Sequence, residues 1–257
     1  GLAAAATPAT NLNPTVTGVG HILTIPYFST QGGNATLLNI TNTDVVNGKA
    51  VKLRFRGAAN SDDIFDITIF LSPGDVWSAA VSASGELSAL NTNDTSCTLP
   101  SIADIKAQGG LFKTGRVNPT NSNAETREGY VEILNTADIP EGSDLFKAIK
   151  HVGGVAPCTA SAIDTAVLNT AHTEATAAAA GFATPTTGLM GDWYIINVAK
   201  TTTFSGGATA LTAVSAAGVA GRGNFVLFPQ LSASAGAPDA YTADPALRTV
   251  VANVNTS

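Results

Sequence analysis

The sequence predicts a mainly β protein, an antiparallel β-sandwich of jelly-roll-like form with short helical insertions. The clearest strand is residues 50–56, where apolar side chains at 51, 53 and 55 alternate with basic ones at 52, 54 and 56. This pattern is typical of a strand with one buried and one solvated face. Similar short segments, separated by turn signals, fill residues 20–82, as in a sandwich or barrel. Hydrophobic residues make up 44% of the 257 residues, enough to build a core.

The amino-terminal part combines an arm with the first strand. Residues 1–20 are rich in Ala, Thr, Asn and Pro, and we expect a flexible arm there. The apolar run 21–28 contains Pro26, which restricts it to an edge or interrupted strand. Further strands are predicted from alternation and from β-branched or aromatic content, at 35–41, 64–71, 76–81, 128–134, 193–198 and 224–228.

Helical insertions are predicted at about 101–108, 143–151 and 160–180. Ser101 and Ser143 stand where an N-cap is expected, and glycine pairs follow the first two segments. Residues 208–219 are small and apolar and fit either a strand pair or a helix. The β-sandwich domain is therefore expected over 21–230, followed by a weakly patterned C-terminal segment at 231–257.

The two cysteines, Cys97 and Cys158, lie in polar, proline-flanked segments. Their spacing matches no zinc finger or ribbon. We expect a Cys97–Cys158 disulfide, as in exported proteins; the alternative is two free thiols in a reduced cytosolic protein. The chain begins at Gly1 and its single methionine is Met190, so removal of a signal peptide is a further expectation.

The charge content limits the partners that this surface can bind. Charged residues make up only 12% of the chain and the net charge is −6, so copies of the protein can approach without strong repulsion. Lys and Arg total 13 and cluster only at 52, 54 and 56, which is too few for a nucleic-acid-binding face. We therefore expect no nucleic-acid partner. No apolar run approaches the about 20 residues that a membrane-spanning helix needs.

The common enzyme motifs are missing from the sequence. His21, His151 and His172 form no His-Glu-x-x-His pair. The glycines of 221–223 (GRG) precede a predicted strand, whereas a dinucleotide-binding loop opens a helix. Residues 203–207 (TFSGG) lack the first glycine of a nucleophile elbow. We therefore predict a protein without catalytic activity and without an organic cofactor.

Asp62 and Asp63 are the candidate metal ligands. They follow Asn60 and Ser61 in a predicted loop, and hard oxygen ligands of this kind hold Ca²⁺. The Asp-x-Asp-x-Asp-Gly spacing of a Ca²⁺-binding loop is absent. The favoured interpretation is that both aspartates are solvated turn residues.

Several segments, in order, resemble a family of exported proteins. They are 25–31 (IPYFSTQ), 34–40 (NATLLNI), 52–57 (KLRFRG), 71–77 (LSPGDVW), 127–132 (REGYVE) and 221–229 (GRGNFVLFP). On these segments the chain resembles the "cell surface protein" family of Burkholderiales-type proteobacteria, which is similar to the surface-layer protein of nanopod tubes in Delftia-like bacteria. The resemblance covers most of residues 20–230. It implies export to the outer surface of a Gram-negative bacterium and self-assembly, and it carries over no catalytic residue.

These observations predict a non-catalytic structural subunit of a cell-surface layer or extracellular filament. Its expected partners are copies of itself, with the outer-membrane surface as a second candidate. The expected contact is strand pairing at sheet edges, in which the arm 1–20 adds a strand to the open sheet of a neighbour. The alternative is a secreted monomeric adhesin or carbohydrate-binding β-sandwich module.

Overall fold

Strands and a few short helices make up the ordered framework of the chain. The computed structural model describes residues 9–117, 120, 122–167, 174–219, 221 and 223. The strands are β1 (Asn11–Pro14), β2 (Ile22–Ser29), β3 (Asn34–Asn42), β4 (Gly48–Gly57), β5 (Asp63–Leu71), β6 (Val76–Ser84), β7 (Leu87–Asn91), β8 (Cys97–Leu99), β9 (Glu128–Ile139), β10 (Leu189–Asn197), β11 (Thr202–Gly207) and β12 (Thr209–Val214). The helices are α1 (Ile102–Ala107), α2 (Asp144–Ile149), α3 (Ala160–Val167) and α4 (Glu174–Ala179).

The strands form two sheets that pack face to face. One sheet has seven described strands in the order β1-β12-β2-β9-β4-β5-β8, and the other has five in the order β11-β10-β3-β6-β7. Every strand pairing in the described residues is antiparallel. The predicted fold class, a mainly β antiparallel sandwich with short helices, is confirmed.

The main core lies between the two sheets. Leu53 and Phe55 of β4 and Trp77 of β6 have no exposed surface. Phe112, from the segment after α1, enters this core and stacks on Phe65 with ring centroids 4.9 Å apart. Burial of each such side chain stabilises the fold by about 1.5–3 kcal/mol. The alternating apolar positions of the sequence therefore supply the inner faces of both sheets.

A second apolar cluster lies where α2 and its neighbours cover the outer face of the seven-stranded sheet. Phe70 of β5 packs there with Leu145 and Ile149 of α2. The Ser143 side chain caps α2 by accepting a hydrogen bond from the N–H of Phe146 at 2.9 Å, as an N-cap serine does. Helix α1 lies within the predicted segment 101–108 and α2 within 143–151.

The basic face of β4 is buried, which corrects the prediction of a solvated face. Lys52 has no exposed surface and Arg54 is only 4% exposed. The physical reason is that carboxylates of β5 lie directly beside them. The Lys52 Nζ is 2.6 Å from Asp66 and the Arg54 guanidinium is 2.7 Å from Asp63. Alternation located the strand correctly, but it gave no sign that the polar side would be neutralised and covered.

The expected flexible arm differs from the structure in its second half. Residues 11–14 form β1, which pairs with β12 of the same chain, with Leu12 opposite Ala213. The buried Gly20 also belongs to the fold, because its N–H donates to the carbonyl of Leu189 at 2.9 Å. This part of the arm therefore completes the protein's own sheet rather than a neighbour's. Residues 1–8 of the predicted arm lie outside the described residues.

Other predicted segments agree with the structure only in part or lie outside the described residues. Residues 208–219, which fit either a helix or strands, contain β12. The segment 160–180 contains two helices, α3 and α4, with 168–173 outside the described residues. The predicted strand at 224–228 and the segment 231–257 also lie outside them.

Candidate assembly surface

One side of the sandwich ends in two exposed strands, β1 in the seven-stranded sheet and β11 in the five-stranded sheet. All four residues of β1 are exposed, as are all those of β11 except the half-buried Gly206. Only Ala208 separates β11 from β12, so the chain turns from one sheet into the other on this side. We call β1 and β11 together the open side.

Strand β11 directs one row of its backbone groups away from its neighbour β10. It is the edge strand of its sheet and pairs with β10, and the N–H of the next residue, Ala208, donates to the carbonyl of Gly191 at 2.9 Å. Paired residues in an antiparallel ladder alternate between hydrogen-bonded and non-hydrogen-bonded positions. Thr203, Ser205 and Gly207 therefore turn their N–H and C=O groups away from β10. Within the described part of the chain, these outward groups have no hydrogen-bond partner.

Within the described residues, strand β11 has no charged side chain, proline or bulge of the kind that protects a sheet edge. Proteins block exposed edges with charged side chains, proline or a bulge. The sequence of β11, TTFSGG, has no charge and no proline, and its register with β10 runs without a bulge. Phe204 is 65% exposed in the middle of the strand. By contrast, β1 ends at Pro14, whose nitrogen cannot donate a hydrogen bond.

The opposite side of the sandwich, formed by β7 and β8, is closed by the chain itself. The N–H of Phe112 donates to Ser88 of β7, and the next N–H, of Lys113, donates to Ile64 of β5. Two consecutive residues thus bridge the two sheets. Strand pairing with another molecule is therefore favoured on the open side.

The predicted disulfide is confirmed and belongs to the closed side. Cys97 of β8 is bonded to Cys158, with the sulfur atoms 2.13 Å apart. The N–H of Cys158 also donates to the carbonyl of Ala148 in α2 at 2.8 Å. The bond therefore fastens the edge strand β8 to the helical layer beside it.

The two candidate calcium ligands, Asp62 and Asp63, lie in different environments. Asp62 is half-buried in the loop before β5, whereas Asp63 is buried and pairs with Arg54. Burial, together with the neighbouring charge of Asp66, raises the pKa of Asp63 to about 6. A cation site would need the Asp63 carboxylate to leave Arg54. The described residues contain no cluster of three His, Cys, Asp or Glu side chains that could hold a metal ion.

Sequence reasoning missed a cluster around His151. The His151 Nδ1 atom lies 2.9 Å from the Ser72 hydroxyl and 3.4 Å from the Asp75 carboxylate. A nucleophile–base–acid relay needs the serine and the carboxylate on opposite ring nitrogens, and here both are on the same one. The Ser72 hydroxyl is also 3.2 Å from Asp75. This cluster joins the turn before β6 to the segment after α2.

The other histidines have separate environments. His21 is buried at the start of β2, where its Nδ1 accepts from the N–H of Ala213 at 3.1 Å and its Nε2 lies 3.0 Å from the carbonyl of Gly221. Since Nδ1 accepts, the proton is on Nε2, which donates to Gly221. His172 lies outside the described residues. The TFSGG segment tested as a nucleophile elbow is the edge strand β11.

Comparisons with known proteins give no relative for this chain. No protein-family model, no curated protein and no solved structure matches it. No helix in the described residues is long and apolar enough to cross a bilayer.

Proposed function

We propose that this protein is a non-catalytic structural subunit of a bacterial cell-surface layer or extracellular filament, and that it assembles with copies of itself through the open side. The observation that carries the proposal is the unprotected edge of β11, with outward backbone groups at Thr203, Ser205 and Gly207. A strand of a second copy would extend the five-stranded sheet by pairing with these groups.

The low charge of the surface favours such a contact. Neither β1 nor β11 contains a charged residue, so edges of two copies meet without repulsion. Each new backbone hydrogen bond contributes only about 0.5–1.5 kcal/mol. A single strand pairing is therefore weak, and a layer or filament needs more than one such contact per subunit. The two edges of the open side, β1 and β11, offer each subunit two. The exposed Phe204 ring adds apolar area to the contact.

Electron microscopy of the purified full-length chain and of three variants tests this proposal. Thr203→Lys places a charge on the β11 edge, and Ser205→Pro removes one outward N–H while leaving the pairing with β10 intact. Ser84→Lys is the matched control, since Ser84 is exposed at the end of β6, away from the open side. We expect sheets or fibres from the wild type and the control, and dispersed particles from both edge variants at unchanged thermal stability. Edge variants that polymerise like the wild type would contradict the proposal.

A second candidate is a monomeric adhesin or carbohydrate-binding module. It is favoured by the outer face of the five-stranded sheet, where Tyr194 is 38% exposed and Asn39 donates to Asp192 at 2.6 Å on the neighbouring position. An exposed aromatic ring beside polar groups suits a sugar ligand. Loss of glycan binding in Tyr194→Ala, from a wild type that stays dispersed at every concentration, would favour this candidate.

A further inference from the structure

A lysine, an asparagine and an aspartate are buried together at one end of the space between the sheets. Lys49 of β4 has no exposed surface, and Asn135 and Asp138 of β9 are 5% and 2% exposed. Lys49 lies directly opposite Asp138 in the ladder between these strands. Three polar side chains in a desolvated site are costly unless they satisfy one another.

A β-bulge brings Asn135 to the same face as Asp138. Residues three apart on a regular strand point to opposite faces of the sheet. Here Ala50 pairs with Ala137 and Val51 with Asn135, so Thr136 is an extra residue in β9. The bulge restores the alignment of the two side chains. The bulge therefore places the Asn135 side chain beside those of Lys49 and Asp138.

The two side-chain nitrogens share two acceptors, and Lys49 Nζ also lies 3.3 Å from the Thr186 hydroxyl and 3.7 Å from the Asp44 carboxylate. The Asp138 Oδ1 atom lies 2.8 Å from Lys49 Nζ and 2.8 Å from Asn135 Nδ2. The carbonyl oxygen of Thr186 lies 2.9 Å from Asn135 Nδ2 and 3.5 Å from Lys49 Nζ. The amine of Lys49 therefore lies against the same two acceptors that bind the amide nitrogen of Asn135.

The lysine is also held by its packing. A Cβ atom on Gly188 would lie 2.9 Å from Lys49 Cε, so the glycine leaves room for the lysine side chain. The backbone N–H of Thr186 donates to Asp138 Oδ1 at 3.3 Å, and its hydroxyl donates to Oδ2. The carboxyl group is therefore fixed between the amine and the amide. Side chains that the fold holds together can react without the entropy cost of bringing them into contact.

We propose that Lys49 and Asn135 join in an intramolecular isopeptide bond, with Asp138 as the group that moves protons. The Lys49 ammonium gives a proton to the Asp138 carboxylate, and the neutral Nζ attacks Cγ of Asn135. The new bond is Nζ–Cγ and the bond that breaks is Cγ–Nδ2. Asp138 gives its proton to the leaving nitrogen, then accepts the second proton of Nζ and passes that one on as well, so the nitrogen departs as ammonium and Asp138 ends as the carboxylate. Charge and atoms balance, and no oxidant or reductant is required.

The carbonyl oxygen of Asn135 is buried, and it has no hydrogen-bond partner among the residues that the structure describes. The amide is therefore held through Nδ2, which donates to Asp138 and to the carbonyl of Thr186. This arrangement keeps the leaving nitrogen beside the carboxyl group that would supply its protons. The bond would fasten β4 to β9 inside the sandwich, and it is independent of the proposed assembly.

Mass spectrometry of the full-length wild type decides between this bond and an ordinary buried ion pair. We expect the intact mass to be lower by one ammonia, in addition to the two hydrogens lost to the disulfide. A digest should contain one branched peptide that joins the segments around Lys49 and Asn135. Lys49→Arg and Asp138→Asn should restore the ammonia, while Lys147→Arg, at an exposed position in α2, should not.

A competing source of ammonia loss lies next to the site. Asn47 precedes Gly48, and such a pair can close to a succinimide with the same change in mass. A succinimide opens in mild base and gives no branched peptide, whereas an isopeptide bond survives. Folded wild-type protein with its full mass, or with an ammonia loss that mild base reverses, would overturn the proposal.

Discussion

The ammonium nitrogen of Lys52 lies 2.6 Å from a carboxylate oxygen of Asp66, and neither side chain has any exposed surface. Two full charges are thus buried as a pair between neighbouring strands. Burial lowers the pKa of Lys52, while the charge of Asp66 opposes that shift. Desolvation costs several kcal/mol for each ion. Each charge is therefore tolerated in this site because its attraction to the other offsets that cost.

Removing one partner of this pair should be far worse than removing both. We expect Lys52→Met or Asp66→Leu alone to lower the free energy of unfolding by about 3–5 kcal/mol, because each leaves a buried charge without its nearest partner. Arg54 Nε, 4.0 Å from Asp66, replaces that partner only in part. The double variant should recover most of that loss. Urea denaturation of the four proteins measures the coupling. Lys147→Met is the control, since Lys147 and Asp144 form an exposed pair; strictly additive losses would contradict the account.

The raised pKa of Asp63 predicts a stability that falls as the pH rises. Burial and the charge of Asp66 raise this pKa from 3.8 to about 6. Between about pH 4 and 6 the folded state keeps a proton that the unfolded state has released, so the contribution of Asp63 declines across that window. Urea denaturation at several pH values should show a smaller decline in Asp63→Asn. Parallel curves for wild type and variant would rule the effect out.

The lowered pKa of His21 predicts that stability falls as the pH falls, opposite to the effect of Asp63. Burial lowers its pKa from the usual 6.5, although the hydrogen bond to Gly221 opposes this. A second ring proton would meet the N–H of Ala213, which now donates to Nδ1. The unfolded state is therefore protonated first, and stability falls as the pH drops below about 6.5. His21→Gln should remove this part of the pH dependence in the same denaturation series, and an unchanged acid slope would count against it.

Much of the fold could be predicted because its inner faces alternate. Residues 50–56, 64–71 and 76–81 carry an apolar residue at every second position, and each became a strand. The N-caps of α1 and α2 could also be predicted from the sequence, because Ser101 and Ser143 each stand directly before the first turn. Local signals of this kind do not depend on the rest of the chain.

The candidate assembly surface could not be predicted in the same way. Strand β11 ends in Ser-Gly-Gly and has no alternation of apolar and polar residues, so its pattern does not indicate a strand. Its hydrogen bonds to β10 fix it as one. Strand β1 is likewise fixed by β12 and not by its own sequence, NLNP. The partners of Lys52 and Lys49 are set by strand register, which a single sequence does not reveal.

The disulfide should contribute a large share of the stability. It closes a loop between cysteines 61 residues apart, which is worth about 4 kcal/mol in the chain-entropy model. We expect the Cys97→Ala/Cys158→Ala variant to lose about that amount in urea denaturation, and the wild type to lose a similar amount in reducing agent. A variant as stable as the oxidised wild type would refute this expectation.

Hydrogen exchange at the backbone of β11 tests the proposed edge pairing most directly. The N–H groups of Thr203 and Ser205 point away from β10, so they should exchange rapidly in dispersed protein. In assembled protein they should become protected, while the N–H of Ser84, in the β6–β7 hairpin away from the open side, stays unchanged. Assemblies in which Thr203 and Ser205 still exchange at the rate of the dispersed protein would contradict the account.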